Sequence, residues 1–381
     1  MVFTLEALRA RRGDCLLLHY GPRERPLVAL VDGGPAGTYK RALRPRLDEL
    51  REALGDGGPL ELQLVAVSHI DDDHIRGVLD LVRAVAEDRD AGSDPRYEIL
   101  GLWHNSFEDV VGGPGPEGVP AAVAALGATR ARVAAKLSEP ARLVAASIPQ
   151  GRDLRDAARS LALDVNQPFD GVVTAPEKVD WGDGLVLQVV GPDEERLHDL
   201  QRAWERDVRR RTPTEATVAA YLDESVYNLS SIVVLARYRR KKMLLTGDAR
   251  GDDILAGLRA AGLLRRPPLR VDVLKLPHHG SDRNVETDFF RAIVADHYVA
   301  SGDGSHHNPE IAALRMLSES RDDDDFVLHL TYRDGEKGLG ERLRRFEREE
   351  RRRGRRYEIH YADDEPGGSI VLDLLDPIAN P

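Results

Sequence analysis

The stretch Ser68-His69-Ile70-Asp71-Asp72-Asp73-His74 decides how the rest of the chain is read. It follows the apolar run Leu64-Val65-Ala66-Val67 and precedes Val78-Leu79-Asp80-Leu81-Val82. The first run has the length and composition of a buried strand, and the second opens a helix. Two histidines and three aspartates therefore share a short loop at the C-terminal end of a strand, where open α/β sheets carry their ligand chemistry. His69, Asp71 and Asp73 alternate along the loop, and His74 adjoins Asp73. One backbone turn can thus aim His69 and Asp71 at one point and Asp73 and His74 at another. Mixed imidazole and carboxylate ligands suit zinc, manganese or iron better than calcium or magnesium. A plainer reading makes the segment an acidic helix start, because Asp caps helices and complements their dipole. That accounts for one or two aspartates and leaves the flanking histidines unexplained.

Composition narrows the classes open to the chain. Its 381 residues are 41% hydrophobic, enough for one large core with insertions or for two domains. The net charge of −11 means that polyanions are not attracted over the whole surface, so nucleic acid would need a local basic groove. A single cysteine, Cys15, leaves no disulfide framework and no cysteine-based zinc site. Met1-Val2-Phe3-Thr4-Leu5-Glu6 has no basic segment leading into an apolar core, so no signal peptide is expected. The longest apolar runs are far shorter than a membrane span, and a cytoplasmic protein is expected.

Toward the N-terminus, Val2 to Leu8, Cys15 to Tyr20 and Leu27 to Val31 read as three strands, with Gly13-Asp14 as the turn between the first two. The third ends at Asp32-Gly33-Gly34, where glycines permit a sharp turn and a close approach to another loop. Leu43, Leu47, Leu50 and Leu54 recur at helical spacing.

Beyond the His/Asp loop, Tyr97 to Trp103 is a strand ending at His104-Asn105-Ser106, and His104 is a further candidate ligand. Residues 108 to 180 open with a Gly/Pro loop, continue with an Ala-rich helical stretch from Ala121 to Val144, and identify no substrate. Gly184 to Pro192 is a strand, and 194 to 212 is a charged helix ending in Arg209-Arg210-Arg211, read as a solvated face. A hairpin follows: Ile232 to Tyr238, a basic turn, then Met243-Leu244-Leu245-Thr246-Gly247-Asp248. Val271 to Pro277 is a strand ending at His278-His279-Gly280-Ser281, a pairing that packing alone does not call for. Asp296 to Ser301 leads to Gly302-Asp303-Gly304-Ser305-His306-His307-Asn308-Pro309. The helix from Arg342 to Arg356 alternates its charge signs, as exposed salt-bridged helices do. Two short strands, Glu358 to Tyr361 and Ser369 to Leu374, close the sheet.

His69-Ile70-Asp71-Asp72-Asp73-His74 resembles the H-x-H-x-D-H signature of the metallo-β-lactamase superfamily, with Asp71 replacing the middle histidine. That variant looks most like the hydrolase domain of ComEC-type DNA-uptake proteins and their soluble relatives. Asn228-Leu229-Ser230-Ser231 before the hairpin, Thr246-Gly247-Asp248 at its end and His278-His279-Gly280-Ser281 fit the same pattern in order. Gly13-Asp14 followed by a leucine run looks like the family's first hairpin.

The resemblance implies an α/β fold, a four-layer αββα sandwich. It would span residues 1–381 as one domain, with a helical insertion at about 108–180. It implies two divalent metal ions, with zinc preferred and manganese admissible. His69 and Asp71 would hold the first, completed by His104 or water. Asp73, His74 and a histidine of the His278-His279 pair would hold the second. His278, nearer the strand, is the expected ligand and His279 would face substrate, although the sequence alone does not choose between them. Asp248 would bridge, since each carboxylate oxygen can take one cation. Asp32 would support the metal loop. Asn228 and Ser231 would be hydrogen-bond donors near the site, and His306 would contact the scissile group or protonate the leaving group.

The implied activity is metal-assisted hydrolysis, in which a cation lowers the pKa of water from about 15.7 to about 7. Asp73 belongs to that catalytic set. The Asp71 replacement, the Thr-Gly-Asp strand and the His-His-Gly-Ser loop favour a phosphodiester, in nucleic acid or a nucleotide. The alternatives are a hydrolase of a small ester, thioester or lactone on the same scaffold, and a non-catalytic metal-binding interaction module.

Overall fold

The computed structural model describes residues 1–106, 139–195, 197–198, 230–321, 325–355, 357–365 and 367–378. Its first sheet contains β1 (Val2–Ala7), β2 (Leu16–Gly21), β3 (Leu27–Val31), β4 (Leu60–Ala66), β5 (Tyr97–Ile99), β6 (Leu102–Trp103) and β15 (Ile370–Asp373). The strand order is β15-β1-β2-β3-β4-β5, with β6 also on β4. The second sheet runs β14-β13-β12-β11-β10-β9-β8-β7. Its strands are β7 (Lys178–Gly182), β8 (Leu185–Gly191), β9 (Val233–Tyr238), β10 (Lys241–Leu245), β11 (Leu269–Lys275), β12 (Ile293–Ala300), β13 (Phe326–Leu330) and β14 (Tyr357–Tyr361).

Three apolar layers hold this together. Between the sheets lie Phe3, Leu5, Leu18, Trp103, Leu187, Met243, Val273 and Leu372. The outer face of the first sheet is covered by α1 (Arg44–Leu54), α2 (Asp72–Asp90) and α3 (Glu139–Ser160), through Leu47, Ile75, Leu79, Val82 and Leu154 among others. The outer face of the second is covered by α4 (Gly251–Ala260), α5 (Thr287–Ala292), α6 (Ile311–Glu319) and α7 (Leu339–Arg352), through Ile254, Phe290, Leu314, Leu343 and Phe346. Helix, sheet, sheet and helix make a four-layer αββα sandwich, the layering expected from the sequence. No helix among the described residues is long and apolar enough to cross a membrane.

The parallel strands set the site. β3 pairs parallel with β4, and β10, β11, β12, β13 and β14 are parallel in turn. The C-terminal ends of β3, β4, β10 and β11 carry Asp32, Ser68 to His74, Thr246 to Asp248 and His278 to Ser281. Parallel strands are joined by crossovers, so their carboxyl ends meet at one edge and leave a crevice there.

Strands of both sheets differ from the sequence reading. Tyr97 to Trp103 is two strands broken at Leu100-Gly101, where Gly101 sits under the Trp181 ring. A strand at 178–182 was not expected, because its charged, half-exposed residues lack an apolar pattern. The expected insertion falls partly outside the described residues. Its described part includes α3, which continues through Pro149 and docks beside the Ser68–His74 loop, with Gly151 against Ile70 and Gln150 donating to Asp72 at 3.0 Å. Asn228 and Arg209 to Arg211 also lie outside the described residues.

A buried polar knot ties α1 to the first sheet. Glu6 on β1 receives Arg46 Nε at 3.0 Å, stands 3.1 Å from His19 Nε2 and accepts from Ser369 Oγ at 3.1 Å. Burial pushes the Glu6 carboxyl up, but His19 and Arg46 together hold it below its ordinary value of 4.5. A depressed folded value means this carboxylate stabilises fully above about pH 4.5, and the contribution is lost as pH falls through the folded value. Breaking a buried pair leaves one charge uncompensated. Arg46→Met is therefore expected to cost about 3 kcal/mol at pH 7, read by urea denaturation. A loss under about 0.5 kcal/mol, usual for surface changes, would mean that the knot is solvent-screened.

Candidate metal centre

The Ser68–His74 loop leaves β4 and enters α2 directly. Asp71 occupies the N-cap position with extended backbone, but its side chain makes no capping hydrogen bond. Its main-chain carbonyl accepts from His74 N and Ile75 N instead. The carboxylate is left to face His69, with Oδ2 at 3.7 Å from His69 Nε2. Asp72 is the aspartate that serves the surface, paired with Arg12 at 2.8 Å. The helix-start reading thus fits Asp72 and not Asp71.

Asp32 reaches this loop from the end of β3. It accepts Ser68 N and Ser68 Oγ, each at 2.7 Å, and lies 2.9 Å from His74 Nδ1. Its backbone is left-handed, with φ of 60°. With Nδ1 tied to Asp32, the Nε2 of His74 turns to Asp248 Oδ1 at 3.3 Å. A carboxylate behind a histidine fixes ring and tautomer in this way at metal sites.

Asp248 lies at the centre. Its Oδ2 is 3.6 Å from His69 Nε2 and 3.5 Å from His278 Nε2. Its Oδ1 is 3.3 Å from His74 Nε2 and 3.5 Å from His279 Nε2. Asp73 completes the second group, 4.0 Å from His74 and 3.8 Å from His279. The two carboxylate oxygens therefore face two histidine pairs.

The pairing differs from the expected grouping. His278 joins His69 and Asp71, and His279 joins His74 and Asp73. Backbone conformation is the cause: His278 and His279 have φ of 48° and 57°, both left-handed. Each such residue costs about 1–2 kcal/mol, which the surrounding packing must offset. The double reversal throws the two rings to opposite oxygens of Asp248. His278 N donates to Gly247 O at 3.0 Å, binding this loop to the Asp248 loop.

Two residues the sequence reading did not single out complete the centre. Asn284 Nδ2 donates to the Asp248 carbonyl at 3.0 Å, which turns Asn284 Oδ1 to His278 Nδ1 at 2.9 Å. Asp14 Oδ1 stands 3.4 Å from His279 Nδ1. Asp14, His74, Asp248 and His279 are all buried, and each offers a ligand atom within 4.8 Å of the others. A Gly-Asp turn carries no signal that separates a ligand-cluster aspartate from an ordinary turn residue.

The other expected residues are placed as follows. His104 is buried, and its main chain is clasped by Asn166 through two hydrogen bonds of 2.9 Å; it is not in the converging quartet. Ser231 is buried, with its Cβ 3.5 Å from where a Gly247 Cβ would stand. His306 is exposed on the 302–310 loop. That loop is bound to the histidine turn by Asn308 Nδ2 donating to His278 O and Glu310 N donating to Gly280 O.

The electrostatics are those of a site shaped for cations. Buried polar atoms normally find hydrogen-bond partners. Yet His69 Nε2, Asp71 Oδ1 and Asp248 Oδ1 are buried without one. Burial, with the neighbouring Asp73 and Asp248, pushes the Asp71 carboxyl up to about 8. Burial lowers His69, and the neighbouring His74 lowers it further. For His74 burial works downward, but Asp248 and Asp32 raise it well above its ordinary value. Burial opposes ionisation of Asp248, yet the four histidines hold its carboxyl well below the usual range. Unpartnered imidazole nitrogens and crowded carboxylates facing inward fit bound divalent ions.

No family model matches the sequence, and no curated protein matches it. Among solved structures it aligns with CmlA, a diiron β-hydroxylase from Streptomyces venezuelae, at 13% identity and a TM-score of 0.38. The alignment covers 97% of this chain and 54% of that one, so the chain spans about half the length of CmlA. A protein from Parabacteroides distasonis named as a metal-dependent hydrolase aligns at 9% identity and a TM-score of 0.30, over 94% of this chain and 98% of that one.

Proposed function

We propose that this chain is a metal-dependent hydrolase with a binuclear centre, acting on a phosphodiester of the kind found in nucleic acid or nucleotides. The observation that carries the reading is the division of Asp248, one carboxylate oxygen toward His69 and His278 and the other toward His74 and His279. His69, Asp71 and His278 would hold one ion, His74, Asp73 and His279 the other, and Asp248 both. Zinc is the preferred metal and manganese also suits the ligand set. The residue pattern at the metal loop, the Thr246-Gly247-Asp248 strand end and the His278-His279 turn supports closeness to the ComEC-type hydrolase domain. On this reading residues 1–381 act as one cytoplasmic domain.

Divalent ions bound here would supply water activation at neutral pH and neutralise charge on a phosphoryl oxygen. The chain's own residues do the rest. Asp32 and Asn284 fix the tautomers of His74 and His278, so each presents Nε2 inward. Ser68 holds Asp32 in place. Asp71, Asp73 and His278 are the partly exposed members, at 20%, 21% and 32% of their side chains, and mark the side from which substrate enters. His306, on the loop tied to His278, would approach the leaving group from the rim. α3 lies against the loop at Ile70 and Asp72 and walls that edge of the cleft.

The test is metal content by mass spectrometry together with turnover of bis-p-nitrophenyl phosphate in zinc and manganese. Two metals per chain with chelator-sensitive turnover is the expected result. A nucleic-acid substrate contacting several phosphates should bind more weakly as salt rises, whereas a small neutral ester should not. Turnover of esters or lactones without phosphodiester cleavage would select the small-ester alternative. Metal without any turnover would select an interaction module.

A further inference from the structure

Lys275, the last residue of β11, is fully buried. Its Nζ lies 2.7 Å from Asp14 Oδ2 and donates to Leu276 O at 3.0 Å. Asp14 comes from the hairpin joining β1 to β2 in the first sheet, whereas Lys275 belongs to the second. An ammonium taken this far from water is costly, and a buried ion pair is a poor stabiliser compared with apolar side chains of similar volume. Its presence calls for a task other than stability.

The geometry gives that task. With Lys275 on Oδ2, the other oxygen of Asp14 is presented to His279 Nδ1 at 3.4 Å. The opposite nitrogen, His279 Nε2, then faces His74 Nε2 at 3.2 Å and Asp248 Oδ1 at 3.5 Å. Asp14 thus faces His279 Nδ1 as Asp32 faces His74 Nδ1, at 3.4 Å and outside hydrogen-bond geometry where Asp32 makes a bond of 2.9 Å. The hairpin is held at this depth by its own main chain, since Asp14 N donates to Asp73 O at 3.3 Å. Gly13 makes the approach possible, because a Cβ there would lie 1.9 Å from Asp73 O.

We propose that Asp14 and Lys275 form a positioning pair for His279, with Asp14 orienting the imidazole through Nδ1 and Lys275 fixing and neutralising the Asp14 carboxylate across the two sheets. The inference rests on the binuclear reading above. Lys275 cancels a charge that would otherwise add to Asp73 and Asp248, and it keeps Asp14 Oδ2 from competing with His279 for an ion. The histidine turn is strained, so the ring needs a partner outside its own loop to hold one orientation.

The experiment compares wild type, Asp14→Asn, Lys275→Met and the double variant by titration with Co²⁺ alone, followed through its visible absorption bands, and by zinc content after dialysis. Loss of such a supporting carboxylate typically weakens metal binding about 10–100-fold. All three variants are expected to bind the second equivalent of Co²⁺ that much more weakly, with the first equivalent unchanged. The double variant removes both buried charges and is expected to melt near the wild-type metal-free temperature, which separates positioning from folding should a single variant not fold. Second-site affinity within about twofold of wild type in Asp14→Asn and in the double variant would overturn the proposal while leaving the binuclear reading intact. A wild-type protein that takes up no second equivalent would overturn the binuclear reading, and this proposal with it.

Discussion

Asp248→Ala is expected to lower bis-p-nitrophenyl phosphate turnover at least about 10³-fold, the upper range for removing one electrostatic stabiliser from an active site. It should also reduce bound metal from two ions to at most one. The size follows from position. Asp248 meets four histidine nitrogens at 3.3 to 3.6 Å, two on each oxygen. No other carboxylate among the described residues stands between both pairs at these distances. Asp73→Ala removes a carboxylate from the second group alone, so it is expected to abolish turnover while leaving about one ion bound. Asp252→Ala, an exposed change at the start of α4, is the control and should leave both quantities unchanged. Far-UV circular dichroism would show whether the Asp248 variant keeps its fold. A folded Asp248→Ala protein with full turnover would end the binuclear reading.

Much of this centre was legible in the sequence because strand ends are legible. Leu64 to Val67 and Met243 to Leu245 are apolar runs, Val271 to Leu276 is apolar apart from Asp272 and Lys275, and the fold brings the ends of all three to one edge. What the sequence could not convey is orientation. Gly280 is the residue in the His-His-Gly turn that advertises a positive φ, yet His278 and His279 adopt one too, and that alone decides which ring faces which oxygen. Asp14 was hidden for a different reason. Its role depends on Lys275, a partner in the other sheet, and local pattern carries no information about a pair that forms only when two sheets stack. β7 escaped because pairing, not composition, makes it a strand, Lys178–Gly182 being a polar edge, whereas β13, Phe326–Leu330, is apolar in four of its five residues and carried a strand signal that the reading passed over.

The placement of α2 against β3 gives the prediction whose sign is most discriminating. Gly77 lies inside α2, where helix propensity alone favours Ala over Gly by about 1 kcal/mol. Propensity therefore predicts that Gly77→Ala stabilises the protein. Packing predicts the reverse. A Cβ on Gly77 would lie 1.9 Å from Gly33 O, and one on Gly33 would lie 2.3 Å from Val78 N, so both positions are backbone against backbone. Neither side can yield by a rotamer change. Hydrogen bonds fix the same approach: Gly33 N donates to His74 O at 2.7 Å and Gly77 N to Gly34 O at 3.0 Å. Overpacking a tight contact costs about 1–3 kcal/mol, and a clash with main chain belongs at or above the top of that range. Gly77→Ala is thus expected to destabilise by about 3 kcal/mol or more in urea denaturation. Gly55→Ala is the comparison, since Gly55 has φ of 70° with no heavy atom within 4 Å, and only the left-handed backbone is penalised, by about 1–2 kcal/mol. The shift would also carry His74 and Asp73 away from Asp248, because Gly33 N binds His74 O in α2's first turn, so metal content should fall with stability in Gly77→Ala and stay at wild-type level in Gly55→Ala. Stabilisation by Gly77→Ala, or a loss no greater than that of Gly55→Ala, would show that the glycine contact does not hold the metal loop in place.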